Sequence, residues 1–323
     1  MDELLKVEGL SVEYKGIQTA HAVNHISFSI MPNEVLGLVG ETGAGKTTTA
    51  LSILGLLPER TGKITSGRIL YKGNDLLSLS TKELQTYRGS EIAMIFQDPM
   101  TSLNPVLSVG KQIAEAFIFH DSGLSKEEID RRVCSLLELV GIDPKRRDDY
   151  PHQFSGGMKQ RIVIAMALAC APKLLLADEP TTALDVTIQA QVLSMMKKLQ
   201  RENDTAMLLI THDLGVVAHM CSKVAVIYAG EIVETGTLEE ILGGGTHHPY
   251  LEGLLSSIPS LREKSRRLKP IDGLMPDPAN LPEGCKFHPR CPHCRPECKC
   301  ELPPVMQNSD THMIRCFRSG GTV

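Results

Sequence analysis

The chain has 323 residues and a formal net charge of −4, and 42% of its residues are apolar and 22% charged. The length favours two domains, and the composition is typical of a globular protein. The sequence contains no apolar run long enough to span a bilayer and no secretory signal, and its mildly acidic character argues against a nucleic-acid-binding protein, so we expect it to stay in the cytosol.

Nearly continuous apolar runs predict three buried strands. These runs are VLGLVG at 35–40, KLLLADEP at 173–180 and AMLLITH at 206–212. Strands of this kind belong to a sheet that helices cover on both faces, which predicts an α/β fold.

The first of these strands leads into GETGAGKT, Gly40–Thr47, which has the phosphate-loop spacing G-x-x-x-x-G-K-S/T and precedes the helical pattern TTTALSILGLL. Glycines let the backbone approach phosphate oxygens, and the helix N-terminus offers free N–H donors. Lys46 is placed to reach the outer phosphates, and Thr47 to bind Mg²⁺. The sequence therefore predicts a nucleotide-binding site.

Residues 125–141, SKEEIDRRVCSLLELVG, predict an amphipathic helix. Ser125 and Glu128 have the spacing of a capping box at its start. The apolar face of this helix consists of Ile129, Val133, Leu136, Leu137 and Val140.

A serine and two glycines begin another predicted helix, in FSGGMKQR at 154–161. Such a helix N-terminus is suited to binding an anion, although the chain already has a complete phosphate loop. We therefore expect Ser155, Gly156 and Gly157 to serve the nucleotide of a different subunit.

Two carboxylates follow the apolar strand of LLLADEP. Asp178 is placed to hold Mg²⁺, and Glu179 to orient or deprotonate an attacking water. Phosphoryl transfer needs positioning and charge neutralisation, so a lysine, a metal site and one such carboxylate are a nearly complete set.

The character of the chain changes after GGG at 243–245. Residues 259–323 hold ten of the nineteen prolines and carry 11 Lys and Arg against 7 Asp and Glu, whereas the rest carries 23 against 31. This tail is compatible with an acidic partner or an anionic membrane surface, and equally with a basic tail that is simply solvated. It is poor in apolar residues, so we expect its fold to need a cross-link or a metal.

These motifs together resemble the ATP-binding subunits of ABC transporters, in which two subunits enclose two ATP molecules between the phosphate loop of one and the signature of the other. The resemblance covers the whole chain. It implies an ABC nucleotide-binding domain at 1–245, with a helical subdomain at about 98–165, and a C-terminal extension at 246–323.

The resemblance also implies individual roles. Gln97 in IFQDP matches the glutamine loop and His212 in ITHD the switch histidine, which join Glu179 and Lys46 as catalytic residues. Mg²⁺ is assigned to Thr47, Gln97 and Asp178. The residues implied to contact ATP are Tyr14, which stacks on adenine, Gly40, Glu41, Thr42, Gly43, Ala44, Gly45, Lys46, Thr47, Thr48, Gln97, Ser155, Gly156, Gly157, Asp178 and Asp185, the last in the dimer-contact loop.

Taken singly, some of these residues have other interpretations: Tyr14 as a strand aromatic, Gln97 as a loop amide and His212 as a structural histidine. Met158 departs from the general family pattern, which has glutamine there. Peptide importers are similar to this sequence at that position, so we interpret Met158 as a mark of the subfamily.

Three stretches resemble the dipeptide and oligopeptide importers: MIFQDPMTSLNPVLSVGKQI, YPHQFSGGMKQR and HHPY at 247–250. In that family two different ATPase subunits pair beneath two membrane permeases on the cytoplasmic face, and an external binding protein delivers the substrate. The chain resembles the first ATPase, of the dipeptide type. Nickel or oligosaccharide importers and a soluble, non-transport ABC ATPase are the alternatives.

Five of the nine cysteines lie within residues 284–300. A cytosolic compartment disfavours disulfides, and the close spacing of the cysteines indicates a metal site. The positions of Cys285, Cys291, Cys298 and Cys316 are similar to the extension of peptide-importer ATPases that holds a 4Fe-4S cluster. Zinc is the alternative, because Cys294, Cys298 and Cys300 with His288 and His293 are suited to a tetrahedral site.

Overall fold

A computed structural model of the protein describes residues 2–121, 123–182, 184–257 and 270–320. Contacts divide the chain into two compact units. The first consists of Met1–Ile30, Val35–Leu77 and Ile210–Val323, and the second of Met31–Glu34 and Ser78–Leu209. No helix within the described ranges is long and apolar enough to cross a membrane.

Strands and helices alternate through much of the chain, as the sequence predicts for an α/β fold. The strands are β1 (Leu5–Tyr14), β2 (Ala20–Ile30), β3 (Val35–Val39), β4 (Gly62–Tyr71), β5 (Asn74–Asp75), β6 (Ile92–Ile95), β7 (Leu174–Asp178), β8 (Ala206–Thr211), β9 (Lys223–Tyr228), β10 (Glu231–Thr237), β11 (Val305–Gln307) and β12 (Met313–Arg315). The helices are α1 (Lys46–Ile53), α2 (Thr81–Tyr87), α3 (Pro99–Ser102), α4 (Val109–His120), α5 (Lys126–Leu139), α6 (Gly156–Leu168), α7 (Val186–Glu202), α8 (Leu214–Met220), α9 (Leu238–Leu242) and α10 (Pro249–Ser256).

The first unit contains two groups of strands. In one, β1 lies between β2 and β4, and β5 pairs with β4, all antiparallel. In the other, β3 runs parallel to β9, and β10, β12 and β11 continue the order with antiparallel pairs. Every residue of β3 is buried, because its apolar sequence leaves no polar face.

The second unit pairs β6 with β7 in parallel, and α6 contacts β6. All of β7 is buried, as is all of β8, so the three strands predicted from apolar runs are confirmed. Helices α4, α5 and α6 contact one another, and α6 also contacts α7.

The predicted helix at 125–141 is confirmed as α5, with Val133 and Leu137 buried. Only half of the predicted capping box forms. The hydroxyl of Ser125 accepts a hydrogen bond from the Glu128 N–H at 3.2 Å, but the Glu128 carboxylate pairs with Arg131 and Arg132. The nearby guanidinium groups are the stronger partners, since an ion pair adds charge to the hydrogen bond.

The described part of residues 246–323 shares a core with earlier parts of the first unit. Strand β12 pairs with β10, and the ring centroids of Tyr250 and Phe287 lie 4.7 and 5.1 Å from that of Tyr228. These three aromatic side chains are fully buried. The extension thus obtains apolar contacts from β9, a source of stability that its own composition does not indicate. The boundary at 245 and the subdomain at about 98–165 remain predictions.

Candidate functional site

The predicted phosphate loop joins β3 to α1 in the first unit. Gly45 has a φ of 99°, and a Cβ there would lie 2.3 Å from the Ala22 carbonyl oxygen. A Cβ at Gly40 would lie 2.2 Å from the carbonyl oxygen of Ile227. Both positions therefore require glycine, the first for its backbone conformation as well as for space.

The loop ends at a helix N-terminus suited to an anion. Helix α1 has no side-chain cap and no acidic residue in its first turn. The Lys46 side chain is buried, and its ammonium donates to the carbonyl oxygens of Gly40 and Glu41 at 2.8 and 2.9 Å. Positive charge and backbone amides therefore gather at one place, as phosphate recognition requires.

The other residues predicted for the loop are spread between the surface and the core. Thr42, Gly43 and Thr47 are exposed, Ala44 is buried, and Thr48 is half-buried. The Tyr14 hydroxyl lies 3.3 Å from the Thr48 hydroxyl. The structure thus places the predicted adenine-stacking residue beside the first turn of α1.

Glu41 is held by residues that the sequence did not single out. Its N–H donates to the Tyr250 hydroxyl at 2.9 Å, and its two carboxylate oxygens accept from Arg290 Nη1 at 3.1 Å each. Burial raises the pKa of Tyr250, so the phenol stays neutral. In the sequence, the HHPY stretch at 247–250 was the only feature that drew attention to Tyr250. Only its position next to Cys291 could have drawn attention to Arg290.

The predicted carboxylates belong to the second unit. Asp178 is buried at the end of β7, and Glu179 follows with a φ of 46° and 8% exposure. The Glu179 carboxylate accepts from Gln97 Nε2 at 3.3 Å and from the Thr182 hydroxyl at 2.9 Å. A positive φ costs a non-glycine residue about 1–3 kcal/mol, so the fold holds this carboxylate in place against strain. Thr182 is a contact that the sequence reasoning missed.

The predicted signature lies at the start of α6, also in the second unit. Ser155 and Gly156 are exposed, and the Ser155 hydroxyl caps the helix by accepting from the Met158 N–H at 3.4 Å. A Cβ at Gly157 would meet Ile188 at 2.4 Å. The Met158 sulfur accepts a hydrogen bond from Arg146 Nη1 at 3.8 Å. Methionine makes this contact at the position where the general family pattern has glutamine.

Asp185 and His212 lie at element ends. Asp185 is exposed and caps α7 by accepting from the Ile188 N–H at 3.0 Å. His212 is exposed directly after β8 and belongs to the first unit with the phosphate loop. Gln97, the signature, Asp185 and the two carboxylates belong to the second.

The four predicted cluster ligands line one pocket in the extension. Cys285, Cys291, Cys298 and Cys316 surround it together with His248, Phe287 and His288, whereas Cys294 and Cys300 are not part of its lining. None of the nine cysteines, all of which lie in the described ranges, forms a disulfide. The structure thus brings together the set predicted for a cluster and leaves out the two extra cysteines.

Backbone groups and burial shape this pocket. The Cys285 N–H donates to the Cys298 carbonyl oxygen at 2.9 Å, and the Arg318 N–H to the Cys316 sulfur at 3.5 Å. Burial raises the pKa of Cys285 to about 12 and that of Cys291 to about 11. Thiols in this setting keep their protons unless a cation replaces them.

A second group of ligand-type side chains consists of Glu234, His247 and His312. Glu234 Oε1 lies 2.7 Å from His247 Nδ1 and 2.8 Å from His312 Nε2, and Glu234 Oε2 accepts from the His248 N–H at 2.6 Å. His247 Nε2 lies 3.0 Å from the Gly243 carbonyl oxygen. Hydrogen bonds account for both Glu234 oxygens and both His247 nitrogens, so the group is a buried polar network.

Family models match two parts of the chain. Residues 23–182 match the model described as ABC transporter, and residues 233–298 match that described as oligopeptide/dipeptide transporter, C-terminal region. The second match includes HHPY and three of the four pocket cysteines.

Similar proteins span nearly the whole chain. The dipeptide transport ATP-binding protein DppD of Bacillus subtilis is 50% identical over 98% of this chain and 95% of that protein. The oligopeptide transport ATP-binding protein OppD of the same organism is 50% identical over 97% and 88%. DppD of Escherichia coli (strain K12) is 46% identical over 97% and 96%.

A solved structure has the same fold. The ATP-binding cassette MJ0796, dimeric in a post-hydrolysis state with ADP and Pi, gives a TM-score of 0.66 at 28% identity and covers 72% of this chain and 98% of its own. With a phosphate loop between β3 and α1 and relatives half identical along its length, the chain belongs to the ATP-binding subunits of ABC transporters, in the oligopeptide/dipeptide transporter family.

Proposed function

We propose that this chain hydrolyses ATP to power the import of dipeptides or oligopeptides. The observation that carries the proposal is the phosphate loop, where the Lys46 ammonium and the uncapped N-terminus of α1 converge. It occurs in a chain half identical to a dipeptide transport ATP-binding protein. The nickel and oligosaccharide alternatives have no such relative among those described above.

The roles of the site residues follow from their chemistry. Lys46 neutralises the outer phosphates, and Tyr14 stacks on the adenine. By the family resemblance, Thr47, Gln97 and Asp178 would be the Mg²⁺ ligands, and the ion would neutralise charge on the phosphates. Glu179 orients the attacking water, and its bonds to Gln97 and Thr182 keep the carboxylate turned in one direction. His212 contacts the outer phosphate.

The assembly proposed for this subunit contains a second, different ATPase subunit and two membrane permeases. It sits at the cytoplasmic face of the membrane, and an external binding protein delivers the peptide. The exposure of Ser155 and Gly156 supports the pairing, because it leaves the N-terminus of α6 accessible to another subunit's nucleotide.

Paired substitutions test this function in the assembled transporter. Lys46→Ala is expected to abolish ATP binding and peptide uptake together, because the positive charge that neutralises the outer phosphates is lost. Glu179→Gln is expected to bind ATP normally but to hydrolyse it at least about 10²-fold more slowly, since shape is kept and the base is removed. Labelled di-, tri- and pentapeptide uptake and single-turnover hydrolysis are the measurements. Normal turnover in Glu179→Gln would contradict the role of Glu179.

The C-terminal extension, residues 246–323, is proposed to hold a 4Fe-4S cluster on Cys285, Cys291, Cys298 and Cys316. Support comes from the pocket that these four thiols line and from the N–H group directed at the Cys316 sulfur. The zinc alternative relies on Cys294 and Cys300, which lie outside the lining of this pocket. Because ATP hydrolysis transfers no electrons, the cluster's role is structural.

A further inference from the structure

Arg290 lies where the cysteine-bearing segment meets the phosphate loop. It ends the 3₁₀ turn His288–Arg290, directly before Cys291, and its side chain is only 5% exposed. A buried guanidinium is costly unless its donors are satisfied, so its partners carry information about its purpose.

The guanidinium is fixed by its own segment before it reaches the loop. Arg290 Nε donates to the Asp272 carbonyl oxygen at 2.9 Å, and Nη2 to the Ile271 carbonyl oxygen at 3.3 Å. Nη1 then donates to both Glu41 carboxylate oxygens at 3.1 Å. Because the guanidinium is planar and rigid, the first two bonds fix the direction of the third.

Glu41 passes this constraint to the phosphate-binding lysine. Its carbonyl oxygen accepts from Lys46 Nζ at 2.9 Å, and its N–H donates to the Tyr250 hydroxyl. The carboxylate, the carbonyl and the N–H of one residue are thus all engaged. A displacement of Arg290 would therefore move the carbonyl that positions the Lys46 ammonium.

We propose that Arg290 positions the phosphate loop through Glu41 and thereby couples ATP binding to the state of the cysteine pocket. Arg290 reaches the loop through the Glu41 carboxylate and does not line the pocket, so we assign it as a positioning residue. Its link to the loop is independent of the proposed function, whereas the coupling rests on the proposed cluster. Loss of the cluster would release the turn at 288–290 and weaken ATP binding. Bound ATP would in turn raise the affinity of the pocket for the cluster by the same factor.

A double-mutant cycle on the full chain tests the link. Arg290→Gln and Glu41→Gln are each expected to raise the dissociation constant for a fluorescent ATP analogue by about 10-fold, and the double variant by no more than either alone. Arg290→Lys, which keeps the charge without the planar fork, is expected to fall between wild type and Arg290→Gln. Additive losses in the double variant would overturn the link through Glu41.

Arg68 provides a control in the same unit, outside both the phosphate loop and the lining of the cysteine pocket. Its Nη2 lies 3.1 Å from Glu8 Oε2, so it too forms an ion pair with a glutamate. Arg68→Gln is expected to leave ATP affinity unchanged. Equal losses of ATP affinity in Arg68→Gln and Arg290→Gln would mean that Arg290 has only a structural role.

Removal of the cluster tests the coupling. In anaerobically purified wild type, chelation of the iron is expected to weaken ATP binding by about 10-fold, with little further effect in Arg290→Gln. ATP is expected to slow iron loss from wild type and not from Arg290→Gln. Unchanged ATP affinity after iron loss would overturn the coupling. Wild type without iron would overturn both the proposed cluster and this coupling, and the double-mutant cycle would then decide the Arg290 link alone.

Discussion

At the scale of single residues, two adjacent histidines have pKa values that are shifted in opposite directions. Both His247 nitrogens face oxygen acceptors, Glu234 and Gly243, an arrangement that favours the doubly protonated ring. Burial lowers the pKa of His247, but these two hydrogen bonds and the charges of Glu234 and Glu252 together outweigh it, and the net shift of the pKa is upward. Burial alone lowers the pKa of His248 to about 3, and its Nδ1 accepts from the Tyr250 N–H.

The raised pKa of His247 makes a prediction about stability. Its contribution is fully present below the unfolded-state pKa of about 6.5 and is lost as pH rises through the higher folded value. We expect the gap in thermal midpoint between wild type and His247→Gln to shrink steadily from pH 6.5 to 9. Differential scanning calorimetry measures this gap. A gap that stays constant over that range would show that His247 is not charged in the folded protein.

The sequence could not reveal this network. HHPY marked the subfamily, but Glu234 lies 13 residues before His247 and His312 lies 65 residues after it. Neither partner belongs to a motif. Only the pairing of β10 with β12 brings the two sides together.

At the scale of elements, iron binding and the fold of residues 270–320 are expected to depend on some cysteine thiols and not on others. Cys291 lines the pocket, whereas Cys294 lies outside the lining and its sulfur contacts the Arg295 carbonyl oxygen. Cys291→Ser should therefore lose the brown colour and the iron of anaerobically purified protein, while Cys294→Ser keeps both.

Elemental analysis and visible absorbance distinguish these outcomes. Protection from limited proteolysis across residues 270–320 should fall with the iron in Cys291→Ser, because this part of the chain has few strands of its own. Colourless wild type with one zinc per chain would refute the cluster. Equal damage from Cys294→Ser would refute the set of ligands.

Elements with strong local patterns were predictable from sequence. The apolar runs gave β3, β7 and β8, and the spacing of Val133 and Leu137 gave α5. The aromatic cluster of Tyr228, Tyr250 and Phe287 was not, because its members come from three separate segments without a shared period. Contacts of this kind depend on tertiary structure, which periodicity does not encode.

At the scale of the whole molecule, the signature is expected to act on a partner's nucleotide. Ser155→Arg should inhibit the assembled transporter by about 10²-fold while leaving ATP affinity of the isolated subunit nearly unchanged. The substitution also removes the cap of α6, worth about 1 kcal/mol. Ser155→Ala removes the same cap without added bulk and serves as the control.

Two measurements separate the outcomes for Ser155. Equilibrium binding of ATP to the isolated subunit reports on its own site, and steady-state hydrolysis by the complex reports on the shared one. If Ser155→Arg alone abolishes ATP binding by the isolated chain, the signature serves its own nucleotide. The sequence predicted the motif, but the roles that join residues of the two units came from family resemblance, since no local pattern links Lys46 to Glu179.

The pairing of β12 with β10 has a consequence for the order of folding. Strands β9 and β10 are joined by a short turn and can form a hairpin within microseconds. The contact between Glu234 and His312 instead closes a loop of 78 residues, whose entropy must be lost before any bond compensates. Docking of β12 is thus a late step in folding and an early one in unfolding, and amide hydrogen exchange should release β12 before β9.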